Sequence, residues 1–143
     1  FLSPDGTTVM RFPCPTAING IGFSTDRRQS GCLDSVANVN RVGRKTLNDI
    51  TIPFEVQAGD ETHQMVINTM ANPLVAMPFC ICDSQGTTDP ELDSNGEFVA
   101  PAGRDGFVGT AKIASLTIDY AGGADVTGSF VLAPEECTPF FAS

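Results

Sequence analysis

One segment of this sequence, DITIPFEV at positions 49–56, alternates strictly between apolar residues and polar residues or proline. A period of two is the pattern of a β-strand that buries one face and exposes the other. The buried face would carry Ile50, Ile52 and Phe54. Pro53 has no N–H for a ladder hydrogen bond, which favours a position at a sheet edge or at a bulge. The pattern therefore predicts a half-buried strand and makes a β-rich fold the starting expectation.

A single segment carries the signals of an α-helix. Asp60 is a good N-cap, Glu61 places a negative charge in the first turn, and Pro73 stops the helix. These residues predict one helix at about 60–71. His63, the only histidine of the sequence, falls on this helix, where we expect it to face solvent.

Three other segments read as strands. The nearly continuous apolar run at 74–82 predicts a buried strand with a break near its proline, and the alternating segments 107–120 and 125–133 predict a hairpin. Two long polar segments, 23–48 and 83–106, are predicted as loops. We expect the first to contain at most a short strand and the second, which is acidic, to be mobile unless a partner orders it. Loops of this length are usually functional or interfacial.

The length of 143 residues is that of one ordinary domain, so we expect a single domain over 1–143. A content of 41% hydrophobic and 17% charged residues is typical of a globular protein. No apolar run approaches the roughly 18 residues that a membrane span requires, which predicts no membrane insertion. No basic segment followed by an apolar one opens the sequence, so we expect no signal peptide.

The charges divide unevenly along the chain, whose formal net charge is −9. Six of the eight basic residues lie within 1–50, and thirteen of the seventeen acidic residues lie within 51–143. A net negative charge argues against binding to nucleic-acid phosphates, because such binding needs a cationic surface. If the fold separates the two halves, the surface is bipolar and suits head-to-tail association of copies. The alternative is an ordinary solvated surface with one basic loop.

Five cysteines are present, which is an odd number. Cys80 and Cys82 are two apart in a predicted strand, so they point to one face and are poorly placed to bond to each other. We interpret the cysteines mainly as small buried apolar residues in a reduced compartment. A bridge between Cys14 and Cys32 is the alternative. No CxxC pair provides the usual spacing of zinc ligands.

The sequence offers little for catalysis or for a cofactor. It has no GxGxxG after a strand and no GxxxxGK[ST], and a catalytic site would have to be built around His63 alone. The acidic segment from Asp89 to Glu97 superficially resembles the start of an EF-hand loop, but Ala102 stands where the bidentate glutamate would be. We therefore predict no enzymatic activity, no metal and no cofactor.

The order of these elements resembles one protein family. CPTAINGIG, the GCLD turn, RVGRKTLNDITIPFEV, the helix start GDETHQMVI and the final KIASLTIDYAGGADVTGSFVL follow each other as in the tail tube proteins, or major tail proteins, of siphophages. The resemblance covers most of the chain. It implies a mainly β fold, a β-sandwich or partly closed barrel with one flanking helix at about 60–71 and long interfacial loops. It does not imply the immunoglobulin-like domain that many relatives carry, and we expect none here.

The resemblance also implies a function. Such a protein is a structural virion component, assembled in the host cytoplasm, whose hexameric rings stack into the hollow tail tube through which the genome is delivered. Its partners would be its own copies, other tail proteins and passing DNA that is not specifically bound. Alternatives are another virion ring or decoration protein, such as a tail terminator or connector, and a secreted carbohydrate-binding β-sandwich.

The basic residues of the first half are the candidate site. We hypothesise that they line contacts between subunits or rings, while acidic residues dominate the lumen and one ring face, because a basic wall would hold the DNA polyanion. The candidate interface residues are Arg27, Arg28, Arg41, Arg44 and Lys45.

Overall fold

The computed structural model describes residues 1–13, 15–30, 39–57, 59–68, 70–71, 76–122 and 125–142, and only the backbone at 28–30 and 39–43. The described chain is mainly β with one helix, as predicted. Its elements are β1 (Phe23–Ser30), β2 (Val39–Leu47), β3 (Ile50–Glu55), α1 (Glu61–Asn68), β4 (Met77–Cys82), β5 (Glu91–Leu92), β6 (Phe98–Val99), β7 (Gly106–Asp119) and β8 (Thr127–Phe140).

The main sheet has four antiparallel strands in the order β3-β8-β7-β4. The predicted hairpin of the two last strands forms its centre, and each of these strands has 14 residues. Both outer strands carry a proline, Pro53 in β3 and Pro78 in β4, where an edge position tolerates the missing N–H. The prediction for 49–56 is confirmed. The sheet is open in the part of the chain that the structure describes, rather than closed into a barrel.

The outer strands cover only half of the central hairpin each. β3 pairs with β8 from Ile50↔Leu132 to Glu55↔Thr127, and β4 pairs with β7 from Met77↔Ala111 to Cys82↔Gly106. Among the described residues, 112–119 of β7 therefore have no strand on the β4 side, and 133–140 of β8 have no hydrogen-bonded strand on the β3 side. We call these segments the free halves. We call the end where β7 turns into β8 the turn end and the opposite end the open end.

The hydrophobic core lies on one face of this sheet. Its largest buried side chains are aromatic and aliphatic residues from all four strands: Ile50, Ile52, Phe54, Phe79, Ile113, Phe130 and Leu132. The helix α1 covers part of this face through the buried residues Thr62, His63 and Val66. Phe12 packs between them, with its ring centroid 5.0 Å from those of Phe54 and Phe130.

The N-terminal segment runs from one edge of the sheet to the other. Leu2 forms a bridge with Phe79 on β4, and Pro15 and Asn19 form bridges with β3 residues. The stretch between them crosses the core face and carries Phe12. Backbone hydrogen bonds from the Thr16 and Asn19 N–H groups to Pro53 and Thr51 carbonyls fix the second contact. Both outer strands are thus partly covered on their outer sides.

Three predictions about local structure are wrong. Segment 23–48 is not a loop in its described residues, because β1 and β2 form an antiparallel hairpin whose register shifts between Thr25 and Arg27. The helix spans Glu61–Asn68 and ends earlier than 71, with i to i+3 bonds from the Met70 and Ala71 N–H groups. Segment 83–106 is not entirely a loop, because it contains the small hairpin of β5 and β6, and hydrogen bonds within it hold Asp93 and Arg104. Its mobility stays a prediction.

His63 is also placed differently from the prediction. The residue is only 1% exposed. Its ring centroid lies 4.5 Å from the ring centroid of Phe12 and 5.0 Å from that of Phe54. The Gln57 N–H donates to Nδ1 at 3.0 Å, so Nε2 carries the proton and donates to the Pro13 carbonyl at 2.9 Å. One imidazole therefore joins the helix to the β3–α1 connection and to the N-terminal segment.

We expect His63→Leu to lower the free energy of unfolding by about 2–4 kcal/mol, since it leaves the Gln57 N–H and the Pro13 carbonyl without their side-chain partner in a buried site. The measurement is urea unfolding followed by far-UV circular dichroism on dilute, unassembled protein. Gln64→Ala, at the exposed neighbouring position, is the control and should change stability by less than about 0.5 kcal/mol. Equal midpoints for the two variants would contradict the structural role of His63.

Candidate assembly interface

The hairpin of β1 and β2 carries all five predicted interface residues. Arg27 and Arg28 lie on β1, and Arg41, Arg44 and Lys45 lie on β2. The register places Thr25 opposite Lys45, and Arg28 opposite Arg41. Arg27, Arg44 and Lys45 are exposed; of the other two, the structure describes only the strand positions. The fold thus gathers on one hairpin the cations that the sequence distributes over 27–45. We call it the basic hairpin.

The basic hairpin lies at the open end of the main sheet, on the β3 side. β2 leads directly into β3 and approaches β8 beyond the last residue that β3 pairs with. Burial raises the pKa of the Cys137 thiol on the free half of β8, and the nearby Lys45 ammonium partly opposes this shift. The Lys45 ammonium also lies 4.6 Å from the ring centroid of Phe23, which is 59% exposed.

An acidic segment, 83–105, lies at the same end on the β4 side, because Cys82 and Gly106 are paired at the end of their strands. It contains six carboxylates, at Asp83, Asp89, Glu91, Asp93, Glu97 and Asp105. Its one basic residue, Arg104, is almost buried and donates to the carbonyl oxygens of Asp83 and Thr88 at 2.9 Å. The Asp93 carboxylate accepts the N–H groups of Asn95 and Glu97. The segment therefore has a defined shape that its composition did not predict.

The carboxylates around Arg104 are only loosely paired with it. Arg104 Nε lies 3.9 Å from Asp83 Oδ1, and Arg104 Nη1 lies 4.0 Å from Asp89 Oδ1. Both distances exceed that of a hydrogen bond, and Asp83 Oδ1 is buried without a hydrogen-bond partner among the described residues. The guanidinium N–H groups of Arg104 donate to backbone carbonyl oxygens instead. The negative charge of the carboxylates in this segment therefore remains largely uncompensated. Sequence reasoning missed Arg104, although a lone arginine within an acidic segment was visible.

A half-open groove of 830 Å³ borders this segment. Its floor consists of core-face residues such as Ile52, Phe79 and Leu132, and the N-terminal segment forms a wall with Pro15 and Ile18. The rim on the β4 side carries polar and charged residues: Asp83, Ser84, Thr87, Asp89 and Arg104. The lining also includes Phe1 and Arg11, so charged groups of both signs border the groove, and its floor residues are at most 6% exposed.

The turn-end half of the main sheet is polar on the face opposite the core. Cross-strand rows on this face are Glu55–Thr127–Asp119, Pro53–Ser129–Thr117 and Thr51–Val131–Ser115. Among these positions Ser and Thr predominate, and no aromatic residue occurs. Lys112 forms an ion pair of 3.3 Å with Glu135, with both side chains half exposed, so it adds little net positive charge to this face. We call this surface the polar face.

The described residues contain no group of three or more His, Cys, Asp or Glu side chains that could hold a metal ion. No helix within the described ranges is long and apolar enough to span a membrane. Cys80, Cys82 and Cys137 are free thiols, and burial raises the pKa of Cys80 to about 12. The alternative bridge between Cys14 and Cys32 lies outside the described residues.

Comparisons with known proteins agree with this architecture. The lambda-like phage tail tube family matches residues 1–134. "Structural protein 3" of Pseudomonas phage PAJU2 is 30% identical over 133 residues, which cover 90% of this chain and 80% of that protein. The SPP1 tail tube, solved by solid-state NMR and cryo-EM, has a TM-score of 0.65 at 16% identity. The matched region covers 96% of this chain and 73% of the SPP1 chain.

A second solved structure, the tail of an empty GTA particle, has a TM-score of 0.58 at 10% identity. The matched region covers 96% of this chain and 90% of the GTA tail chain. The resemblance seen in the order of the sequence elements is therefore confirmed, as is the place of the protein in the virion. The chain belongs to the lambda-like phage tail tube family and is a structural protein of the phage tail.

Proposed function

We propose that copies of this chain join side by side in one orientation into hexameric rings, and that these rings stack into a hollow tube for the genome. The observation that carries the proposal is the stagger of the main sheet. At the turn end, β3 extends the sheet on one side while β7 lacks a neighbour on the other. At the open end, β4 extends the second side while β8 lacks a hydrogen-bonded neighbour on the first.

The two sides of the stagger are complementary when two copies have the same orientation. The projecting β3 side of one copy then faces the free half of β7 in the next copy. The projecting β4 side of that copy faces the free half of β8 in the first. A contact between two different surfaces is heterologous, and repeating it generates a ring when the rotation closes. Closure would also remove the remaining sheet edges, which otherwise invite uncontrolled pairing.

The polar face is the surface that such a ring can turn toward its lumen. The opposite face is occupied by α1, the N-terminal segment and the core, so it belongs on the outside. A lumen lined by Ser and Thr with the carboxylates of Glu55 and Asp119 would not attract phosphates, and DNA could pass without being held. The net charge of −9 supports the same view.

The ring number is a proposal from structural neighbours. The GTA tail that resembles this fold was reconstructed with C6 symmetry, and the anti-feeding prophage baseplate, with a TM-score of 0.59, was symmetrised six-fold. We propose six copies in each ring for this protein as well. The basic hairpin supplies contacts between copies, and other tail proteins bind at the two ends of the tube.

Negative-stain electron microscopy of the purified protein over a range of concentrations tests the proposal. We expect long tubes of uniform diameter, with six-fold symmetry in end-on views and helical averages. Single rings would instead support a terminator or connector role, for which the anti-feeding prophage tube cap with a TM-score of 0.58 offers a structural precedent. Protein that stays monomeric at every concentration would contradict both assemblies.

A further inference from the structure

The outer edge of β3 is already occupied within a single copy. In the middle of this strand, Thr51 and Pro53 direct backbone groups away from β8. Thr51 exchanges two hydrogen bonds with Asn19, at 2.8 and 3.0 Å, and the Pro53 carbonyl accepts the Thr16 N–H at 2.9 Å. Proline has no N–H to offer. A neighbouring copy therefore cannot extend the sheet by pairing with this part of β3, so another piece of chain must provide the edge.

Residues 15–19, which we call the edge segment, are that piece of chain. The bridges to β3 at Pro15 and Asn19 are antiparallel, so the segment lies on β3 as a short additional strand. Backbone groups alternate in direction along a strand, so the N–H and C=O of Ile18 point away from β3. Among the described residues, no backbone hydrogen bond uses either of these two groups. The edge segment thus has an open outer side of its own.

The free half of β7 lies at the same level on the opposite side of the sheet. Following the cross-strand pairs from the edge segment across β3 and β8 leads to the middle of this free half. The two rows are Asn19–Thr51–Val131–Ser115 and Pro15–Phe54–Gly128–Ile118. When two copies stand side by side in one orientation, the edge segment of one therefore lies beside residues 112–119 of the other.

The strand directions fit the same contact. The edge segment, β3, β8 and β7 are each antiparallel to the next, which makes four strands of alternating direction. Because four is an even number, the first strand of one copy is antiparallel to the last strand of a neighbour in the same orientation. An antiparallel pairing then forms without inverting either copy, so the contact can repeat around a ring.

The side chains also match across this contact. Ile18 is 39% exposed and lies on the core side of the sheet, where it lines the groove. Leu116 and Ile118 of the free half are only partly buried on the same side. Asn19 is exposed and shares a face with its partner Thr51, so it continues the Ser and Thr rows of the polar face. Joining the two edges therefore preserves one apolar and one polar face.

We propose that the edge segment of one copy pairs with the free half of β7 in the next copy and carries the sheet across the boundary between subunits. This inference rests on the side-by-side rings proposed above and names the two strands that join. Adding an extended segment to an open sheet edge satisfies backbone groups on both sides. The N–H and C=O of Ile18 then bond to the neighbour's backbone, and the Ile18 side chain covers Leu116 and Ile118 of that neighbour.

Amide hydrogen exchange compares the edge segment in dilute, unassembled protein and in tubes. We expect the Ile18 amide to exchange at least about tenfold more slowly in tubes, because a hydrogen bond to the neighbour protects it there. The Asn19 amide is the internal control, since it bonds to Thr51 within one copy and is held in both states. Equal exchange rates of the Ile18 amide in the two states would overturn the proposal.

A photo-cross-link identifies the partner strand. Protein with Ile18→p-benzoylphenylalanine is prepared in ¹⁴N and co-assembled with an excess of ¹⁵N wild-type protein, so that links between copies differ in mass from links within one. We expect inter-copy links to residues 112–119. Links to any other segment of a second copy, or no inter-copy link, would overturn this pairing even if tubes form. Wild-type protein that forms no tubes would count against the proposed function itself.

A charge placed in the joint provides a third measurement. Ile18→Asp should raise the critical concentration for assembly by about tenfold, because the carboxylate would be buried against apolar side chains of the neighbour. Met70→Asp is the matched control and should assemble like wild type, since Met70 is 62% exposed beside the helix, on the face proposed as the outside. Far-UV circular dichroism checks that both monomers fold. Assembly of the Ile18→Asp variant at the wild-type concentration would contradict the contact.

Discussion

Charge reversal at two positions of the basic hairpin, Arg41→Glu with Arg44→Glu, is expected to abolish tube formation. The two changes take the net charge of segment 23–47 from +3 to −1. The hairpin then repels the acidic surfaces that every copy presents to its neighbours, since like charges across an interface cost several kcal/mol. A polymer repeats this penalty at each contact, so even a moderate loss per contact prevents growth.

The altered monomer should remain folded. Both positions lie on a two-stranded sheet separate from the main core, and the Arg44 side chain is exposed. Surface substitutions of this kind usually change stability by less than about 0.5 kcal/mol. The measurements are negative-stain microscopy for tubes and thermal unfolding for the monomer. Arg41→Lys with Arg44→Lys, which keeps both charges, is the control and should assemble. Tubes of normal length from the glutamate variant would show that the hairpin is not an interface.

The second large effect concerns Gly109, the fourth residue of β7. A Cβ built at this position would lie 1.9 Å from the Glu136 carbonyl oxygen and 2.6 Å from its carbon. Both atoms belong to the backbone of the neighbouring strand, so they cannot turn away as a flexible side chain could. The register shift between Thr110 and Ala111, which leaves Glu135 unpaired, brings the two strands to this close approach.

Gly109→Ala is therefore expected to lower the free energy of unfolding by about 3 kcal/mol or more, in the range of overpacked or strained cores. Urea unfolding of the dilute protein, followed by far-UV circular dichroism, gives the value. Gly22→Ala is the matched control, because its Cβ would meet only Asn48 Nδ2 at an ordinary 3.5 Å. A similar midpoint for both variants would contradict the strand spacing at Gly109.

The strands that the sequence predicted well are those whose alternation is undisturbed. The pattern at 49–56 and the final hairpin appear as β3, β7 and β8, because one face of each is buried against a single core. β1 and β2 were not predicted, because they contribute no described residue to that core. The register shift between Thr25 and Arg27 also interrupts their period-two alternation. A strand that buries neither face against the core does not need alternating apolar and polar residues.

The contacts that build the candidate interface could not be predicted for a different reason. His63 is buried by segments distant in sequence, Phe12 and Pro13, and helical periodicity does not report what covers a helix. The order of polar residues in 83–105 does not reveal that Arg104 holds their backbone. The stagger of the main sheet depends on strand register, which local composition does not encode. The five basic residues could be named as candidates from the sequence because their charge alone identifies them, and their role at an interface stays a prediction.

The N-terminal segment that touches both outer strands has a consequence for the subunit before assembly. Leu2 occupies part of the outer side of β4, while Pro15 and Asn19 occupy part of that of β3. Within the described part of the main sheet, newly made protein therefore offers other chains little open backbone beyond the two free halves. Because those halves lie diagonally across the sheet, partners that approach in the wrong orientation meet a protected rim, which limits amorphous aggregation.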